Sequence, residues 1–423
     1  MELNSDIIDI KEVAMYFHRH IEPVVERIAK RKSVIVLTGA RQVGKSTMLK
    51  EVYGDINYVT LNTSLVRVSA KENPSLFFDL HKPPVIVDEI QKAGELFEYI
   101  KDIVDEKKIK GQFYLTGSQS MKLMKNVTDS LAGRTGVIKM LGLSMRELKE
   151  SSWRKPFLPI LEDMMNDEKG SVEYDYLEFV SYIHKGFFPE LYETESDLKD
   201  WSDFYSSYFQ TYIEKDIKDV LNIQDESAFI KFVKAVAART GEVLNMSAIS
   251  EICGKDDKTV RSWLSVLESS GLVYLLEPYY NNYNKRLVKS PKLYFLDTGL
   301  ACWLLGWNTP EQMVNGAMWG HIFESYVFAE ILKSYYNDGI VKPLIYYYRD
   351  IDKNEIDLLV EEGDYLYPIE IKTTSNPTKS MVKAFHCLEK NPVKKIGTGA
   401  LICFTKELLP LADSVWMLPV HTI

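Results

Sequence analysis

The sequence lacks any run of about 18 consecutive apolar residues, the length a membrane-spanning helix needs. Met1 to Ile10 is acidic and has no apolar stretch of the signal-peptide kind. Cysteine is scarce: Cys253, Cys302, Cys387 and Cys403 are the four in 423 residues, with no paired metal-type spacing. That excludes a cysteine zinc cluster and a disulfide framework, and it reads as isolated buried thiols in a reducing cytoplasm. There is no internal repeat and no low-complexity tract, which excludes a solenoid and a disordered array. Positive charge is not in excess: 51 Lys and Arg face 60 Asp and Glu, a formal net charge of −9. The chain is therefore no polycation, and any nucleic-acid contact must use local basic patches. What remains is a cytoplasmic globular chain with no membrane partner, 46% hydrophobic and 26% charged. Its length suits roughly two to four domains.

The strongest positive feature is Gly39-Ala40-Arg41-Gln42-Val43-Gly44-Lys45-Ser46-Thr47, a complete G-x-x-x-x-G-K-[ST] phosphate-binding loop. Residues 33–38 before it read as a buried strand and residues 46–53 after it as a helix. The glycines let successive N–H groups turn toward phosphate oxygens, and the helix N-terminus adds its own unpaired donors. Lys45 reaches the β- and γ-phosphates, and the Ser46 hydroxyl holds Mg²⁺.

Such a loop needs a metal partner. Val85-Ile86-Val87-Asp88-Glu89 is a short β-branched strand that ends in two carboxylates. At the C-terminal edge of a parallel strand they face the ligand crevice. Asp88 is expected to bind Mg²⁺ and Glu89 to polarise the attacking water. Residues 112–116 form a further strand, after which Thr116 or Ser118 either senses the γ-phosphate or makes a plain turn. Residues 56–61 form another. Successive βα units predict a mainly parallel sheet. Arg134, after Gly133, is either a charge-stabilising arginine, in its own chain or a neighbour's, or an ordinary surface residue. The neighbour role would imply a homo-oligomer.

Organisation along the chain follows these signals. Residues 1–150 read as the nucleotide domain, with a helical lead-in over 6–30 (Val13, Phe17, Ile21 and Val24 at helical spacing) and a closing helix over 143–150 capped by Ser144. Residues 151–241 read as a helical region, with one long helix over 197–220. Residues 242–309 read as helix, turn, helix and hairpin, a winged-helix arrangement. Its second helix offers Lys258, Thr259, Arg261 and Ser262; its hairpin adds Lys285, Arg286, Lys289 and Lys292. Tyr279, Tyr280 and Tyr283 either stack on bases or sit in the core. Contact with DNA or RNA and contact with protein both stay open.

Residues 310–423 hold a second constellation. Residues 354–360 and 365–372 read as a hairpin around a two-residue Gly363-Asp364 turn of type II′. That register pairs Glu362 with Tyr365 and, stepping outward, Asp357 with Glu370, with Lys372 on the same face. Two hard carboxylates at cross-strand distance suit a second Mg²⁺ or Mn²⁺, and an adjacent lysine positions water, the D-x(n)-E-x-K pattern of phosphodiester hydrolysis. Glu324, in an apolar helix, would complete the site. A metal-free relic of that fold is the alternative. Pro368 fits if the second strand lies at a sheet edge.

These blocks, together with Gly186-Phe187-Phe188-Pro189-Glu190 and Lys289 to Leu300, resemble the prokaryotic AAA-family ATPases in which a P-loop domain is fused to a C-terminal region of unknown function. The resemblance covers nearly the whole chain. It implies an α/β fold: an additional-strand P-loop NTPase core of AAA type, a helical region, a winged helix and a PD-(D/E)XK nuclease-like domain. It also implies ATP and Mg²⁺ as ligands. Three roles then compete: a nucleic-acid enzyme or loader with a C-terminal nuclease, a STAND-like regulatory switch whose nuclease-like domain only binds, and a protein-remodelling ATPase.

Overall fold

The computed structural model describes residues 15–118, 123, 124, 127, 129–170, 175–194, 196–212, 223, 225–280, 289–390 and 393–423. Strand β1 (Val34–Thr38) is buried at all five positions. A continuous apolar run without alternation demands cover on both faces, which a central parallel strand provides. With β2 (Asn57–Thr60), β3 (Val85–Asp88), β4 (Phe113–Gly117) and β5 (Thr135–Lys139) it forms a parallel sheet of order β2-β3-β4-β1-β5. Strand β4 stands between the loop strand β1 and the acidic strand β3, which is the expected additional strand. Because all five run parallel, their C-terminal ends share one edge.

The helices of this module are α1 (Glu22–Ala29), α2 (Lys45–Val52), α3 (Ser64–Glu72), α4 (Pro74–Leu80), α5 (Leu96–Lys107) and α6 (Met145–Leu148). The lead-in helix is shorter than expected. It starts at Glu22, where Pro23 occupies the first turn, so Phe17 lies outside it; residues 6–14, with Val13, fall outside the described residues. Helix α6 is capped as expected: the Glu147 N–H donates to Ser144 Oγ (3.2 Å), and the Ser144 N–H donates to the Glu147 carboxylate (2.8 Å).

The helical region contributes α7 (Leu161–Gly170), α8 (Tyr176–Lys185), α9 (Glu190–Glu193) and α10 (Leu198–Tyr208). Asp197 caps α10 through the N–H groups of Lys199 and Asp200. The expected continuation to Val220 lies, from residue 213, outside the described residues. Next come α11 (Glu226–Ala237), β6 (Glu242–Val243), α12 (Met246–Cys253), α13 (Asp257–Ser269), β7 (Val273–Leu276) and β8 (Lys292–Phe295), the strands forming an antiparallel sheet of order β6-β8-β7. Helix α13 buries Val260, Trp263, Leu264 and Leu267 and exposes Lys258, Arg261 and Ser262. Tyr279 is core: it is buried and meets the Tyr346 ring edge-on. Tyr283, Lys285 and Arg286 lie outside the described residues. Helices α14 (Thr298–Leu305) and α15 (Pro310–Asn315) lead to the last module.

There, α16 (Trp319–Asn337) is buried along most of its length and backs a mixed sheet of order β14-β15-β13-β11-β10-β9, with β12 also pairing β11. Its strands are β9 (Ile345–Arg349), β10 (Glu355–Glu362), β11 (Tyr365–Ile371), β12 (Lys395–Ile396), β13 (Gly399–Cys403), β14 (Leu409–Ala412) and β15 (Val415–Pro419). The hairpin register is as expected, with Glu362 opposite Tyr365 and Leu358 opposite Ile369. Strand β11 is central, not an edge. Pro368 is tolerated because its nitrogen faces a gap: β12 pairs only Tyr365 and Leu366, and β13 begins pairing at Ile369. One apolar cluster continues from Ile21 to Ile423, so the modules share a core. No helix among the described residues is long and apolar enough to cross a membrane.

Candidate nucleotide-binding site and carboxylate cluster

The loop between β1 and α2 forces its backbone into left-handed conformations. Gly39 takes φ 152° and Gly44 φ 90°, and the non-glycine Gln42 takes φ 59°. A Cβ at Gly39 would collide with the Met140 carbonyl. Lys45 is buried, and its Nζ donates to the Gly39 (3.0 Å) and Ala40 (2.5 Å) carbonyls at the mouth of the loop. Burial pulls its pKa down to about 8, against the opposing pull of Glu89 and Asp88.

Asp88 ends β3 directly across from the loop. Its Oδ1 accepts from Ser46 Oγ and Thr116 Oγ1, both at 2.5 Å, and its Oδ2 accepts from Tyr58 (3.0 Å) and Thr60 (3.1 Å). Burial alone would raise its pKa; four hydroxyl donors outweigh it and hold the carboxyl below its ordinary value. Glu89 follows in the left-handed region (φ 58°, ψ 42°), a strained backbone for a non-glycine residue. That twist aims its carboxylate along the sheet edge, where it accepts from Gln91 Nε2 (2.5 Å) and Ser118 Oγ (3.4 Å). Thr116 and Ser118 thus orient the two acids. The hard oxygens of Ser46 and Asp88 fit Mg²⁺ in their chemistry and convergence.

Lys45, Ser46, Asp88 and Glu89 line a cleft of about 460 Å³ that also includes Arg41, Gln42, Gly44 and Thr47; Thr116 and Ser118 stand behind the two acids. Two further walls were not evident in sequence. One is the segment Met15, Tyr16, Phe17 and Arg19; the other is Pro189, Glu190 and Glu193 from the helical region. Gln42 Nε2 donates to Glu190 Oε2 at 3.3 Å across the cleft. Arg19 is the main residue the sequence reading missed. It is buried and donates to the carbonyls of Val43 (2.8 Å), Leu141 (2.9 Å) and Gly142 (3.1 Å), while its Nε meets Glu147 at 3.1 Å. Its only sequence signal was the capping box that fixes Glu147.

Arg134 does not join the same-chain site. It immediately precedes β5, whose first residue lies beside Val34, at the sheet edge opposite the loop. Its guanidinium instead grips Asp105 at 2.5 and 2.7 Å.

The C-terminal residues do converge, but around lysines. Glu324 on α16, Asp357 on β10 and Glu370 on β11 are buried together. Lys372 Nζ lies 2.5 Å from Glu370 and 3.3 Å from Asp357. Lys292, from β8 of the preceding module, is also buried here. Its Nζ lies 2.7 Å from Glu324, 2.9 Å from Glu355 and 3.8 Å from Asp357. Tyr294, two residues on and on the same face of β8, donates to Glu324 Oε1 at 2.6 Å. Lys292 is therefore not part of a nucleic-acid-facing cluster. Burial pushes Glu324 up to about 7, with the Asp357 charge adding and Lys292 opposing. Burial and Asp357 likewise raise Glu370. In spite of burial, Tyr294, Glu324, Asp357 and Glu355 raise Lys292, and Asp357 and Glu370 raise Lys372. A divalent ion does not fit this arrangement as it stands, because the Lys292 ammonium sits among the Glu324, Glu355 and Asp357 oxygens that would have to coordinate it. No group of three or more His, Cys, Asp or Glu among the described residues is arranged for a metal.

Residues 31–149 match the family model of the AAA domain. The chain carries an AAA-type P-loop domain. Residues 176–311 and 319–423 match two domains of unknown function, DUF8612 and DUF4143. Two uncharacterised proteins, from Mycobacterium tuberculosis and Mycobacterium bovis, are each 25% identical over 406 residues, spanning 94% of this chain and 82% of theirs. Among solved structures, a Walker-type ATPase of Pyrococcus abyssi superimposes with a TM-score of 0.44 at 14% identity, covering 69% of this chain and 96% of its own. The RuvB Holliday junction branch migration motor of Thermotoga maritima gives 0.29 at 16% identity, covering 60% and 87%. The AAA domain thus includes the loop, both acids and α6, while the cleft's remaining walls come from outside it.

Proposed function

We propose that this chain is a Mg²⁺-dependent ATPase whose nucleotide state is relayed to the modules after the AAA domain. The observation that carries this is the cleft itself, whose walls are the phosphate loop on one side and Pro189, Glu190 and Glu193 on the other. A nucleotide filling it touches both. Loop amides and Lys45 bind the phosphates, and Glu89 orients and deprotonates the attacking water. Mg²⁺, held by Ser46 and Asp88, would neutralise charge on the β- and γ-phosphates. Two contacts extend the relay. The end of α13 at Gly271 packs against the loop at Ala40. Lys333 of α16 donates to the Leu143 carbonyl on the cleft wall (2.7 Å), and the same helix carries Glu324.

Lys45→Ala tests the phosphate site. Charge-assisted hydrogen bonds contribute about 1.5–3 kcal/mol each, so equilibrium affinity for ATP should fall roughly 100-fold or more. Unchanged affinity would remove Lys45 from the phosphate site.

The order of α11 to β8 supports a winged-helix reading, in which the exposed Lys258, Arg261 and Ser262 of α13 contact a duplex. ATP hydrolysis measured with single- and double-stranded DNA across salt concentrations checks this. Double-stranded DNA should stimulate turnover, less so as salt rises, and Arg261→Ala should reduce the salt slope of binding by about 1. Turnover indifferent to DNA at every salt concentration would discard the nucleic-acid role. The C-terminal module supports the PD-(D/E)XK-like reading in its α16-β9-β10-β11 order and its acidic hairpin. Lys292, a cation foreign to that pattern and buried among its carboxylates, favours a binding module over a nuclease, and so favours a regulatory switch.

A further inference from the structure

The carboxylate cluster of the last module is closed by a residue that does not belong to that module. Lys292 lies on β8, separated in sequence from Glu324 on α16 and from Glu355 and Asp357 on β10. Its side chain is 3% exposed, and its ammonium stands within 4 Å of all three carboxylates. A lysine ammonium offers three donors on a compact point charge; here it lies at hydrogen-bond distance from Glu324 and Glu355 and within ion-pair distance of Asp357. Tyr294, from the same face of β8, fills a second lone pair of Glu324 Oε1. Lys372 closes the other flank, against Glu370 and Asp357. One polar atom remains over: Glu370 Oε2 is buried and has no partner among the described residues. A buried carboxylate oxygen left in this way marks a cluster with coordinating capacity in reserve.

We infer that Lys292 is a built-in counter-ion that occupies the divalent-cation position of the C-terminal carboxylate cluster, excludes the metal, and pins β8 to α16 and β10. The chemistry is substitution of like for like. Carboxylates gathered in a buried pocket require compensating positive charge, and a tethered ammonium supplies it without an ion from solution. A divalent ion entering beside that ammonium meets repulsion at short range, where solvent screening is weak. The consequence reaches beyond the ATPase: a cation site is latent in this fold and is uncovered by withdrawing one side chain from a neighbouring module.

The test uses the full-length protein, Mn²⁺ alone as the probe, and titration calorimetry without nucleotide. Wild type and Asp357→Ala should give the same Mn²⁺ isotherm. Lys292→Met, which keeps the length and removes the charge, should gain one Mn²⁺ per chain, with affinity at least about tenfold above wild type. Lys292→Met/Asp357→Ala should lose that gain. Thermal unfolding adds an independent readout: Mn²⁺ should raise the melting temperature of Lys292→Met and leave wild type unchanged. Should Lys292→Met not fold, Lys292→Met/Glu324→Gln removes one charge of each sign and should still gain Mn²⁺ uptake. A wild-type Mn²⁺ site that vanishes in Asp357→Ala would overturn the inference. So would a folded lysine variant that takes up no more Mn²⁺ than wild type.

Discussion

Glu89→Gln should bind ATP as wild type does and hydrolyse it roughly 10²–10⁴ times more slowly, the usual contribution of a positioned general base. The substitution is nearly isosteric. The left-handed backbone at residue 89 is set by the β3 end and the turn after it, and that strain is borne equally by Gln. The hydrogen bonds from Gln91 and Ser118 reach a side-chain oxygen, which an amide retains. What an amide cannot do is accept a proton from water. Binding and turnover should therefore separate: an equilibrium titration unchanged within about twofold, and a steady-state rate close to background. A variant with full turnover would take Glu89 out of catalysis and leave it a hydrogen-bonding post.

The second large effect concerns a residue of the cleft wall whose guanidinium is engaged by protein partners. Arg19→Ala should destabilise the protein by about 3–5 kcal/mol, because it leaves the Glu147 carboxylate buried without its ion-pair partner. Glu147 also accepts from the His20 and Ser144 N–H groups, so its charge is held in place and cannot turn to solvent. Burial alone would raise its pKa, and the Arg19 charge is the largest of the influences that hold it below its ordinary value. Three carbonyls lose their donor at the same time, and one of them belongs to Val43 in the phosphate loop. Chemical denaturation should show the midpoint falling at unchanged slope. Arg19→Lys should not restore it, since a point ammonium cannot span the carbonyls that the planar fork reaches. A midpoint close to wild type would mean that water takes over these partners, and that the tie between Arg19 and Glu147 is dispensable.

The features legible in the sequence are those whose geometry is local. Residues 39–47 dictate a strand, a loop and a helix within one short stretch, so the loop and Lys45 could be placed from spacing alone. The two-residue turn at Gly363-Asp364 fixes a register that runs to Leu358 opposite Ile369, and so brings the neighbouring Asp357 and Glu370 close without knowledge of the rest of the fold. Long-range partners had no such signal. Lys292 read as one more cation of a basic hairpin because nothing in its neighbourhood announces Glu324 or Glu355. Arg19 sat in what read as a lead-in helix, and its partners are 24 to 128 residues away. Arg134 followed a glycine as a mobile arginine would, but β5 sets it at the sheet edge away from its own chain's cleft, which leaves of the catalytic roles only that in a neighbour's site. Strand β5 itself alternates in burial around Gly136, a weak pattern for a strand that joins the sheet only through β1. Pro368 argued for an edge by the ordinary rule; the break between β12 and β13 that admits it is a tertiary fact.

The proposed function depends on the cleft beside Lys45 accepting a nucleoside triphosphate. The direct measurement is equilibrium uptake of labelled ATP, with Mg²⁺, by the purified full-length chain and by Lys45→Ala. Saturable binding of one ATP per wild-type chain, lost or strongly weakened in the variant, is the predicted result. Wild-type protein that shows no saturation with ATP, or that binds it as tightly when Lys45 is replaced, would contradict the account at its root.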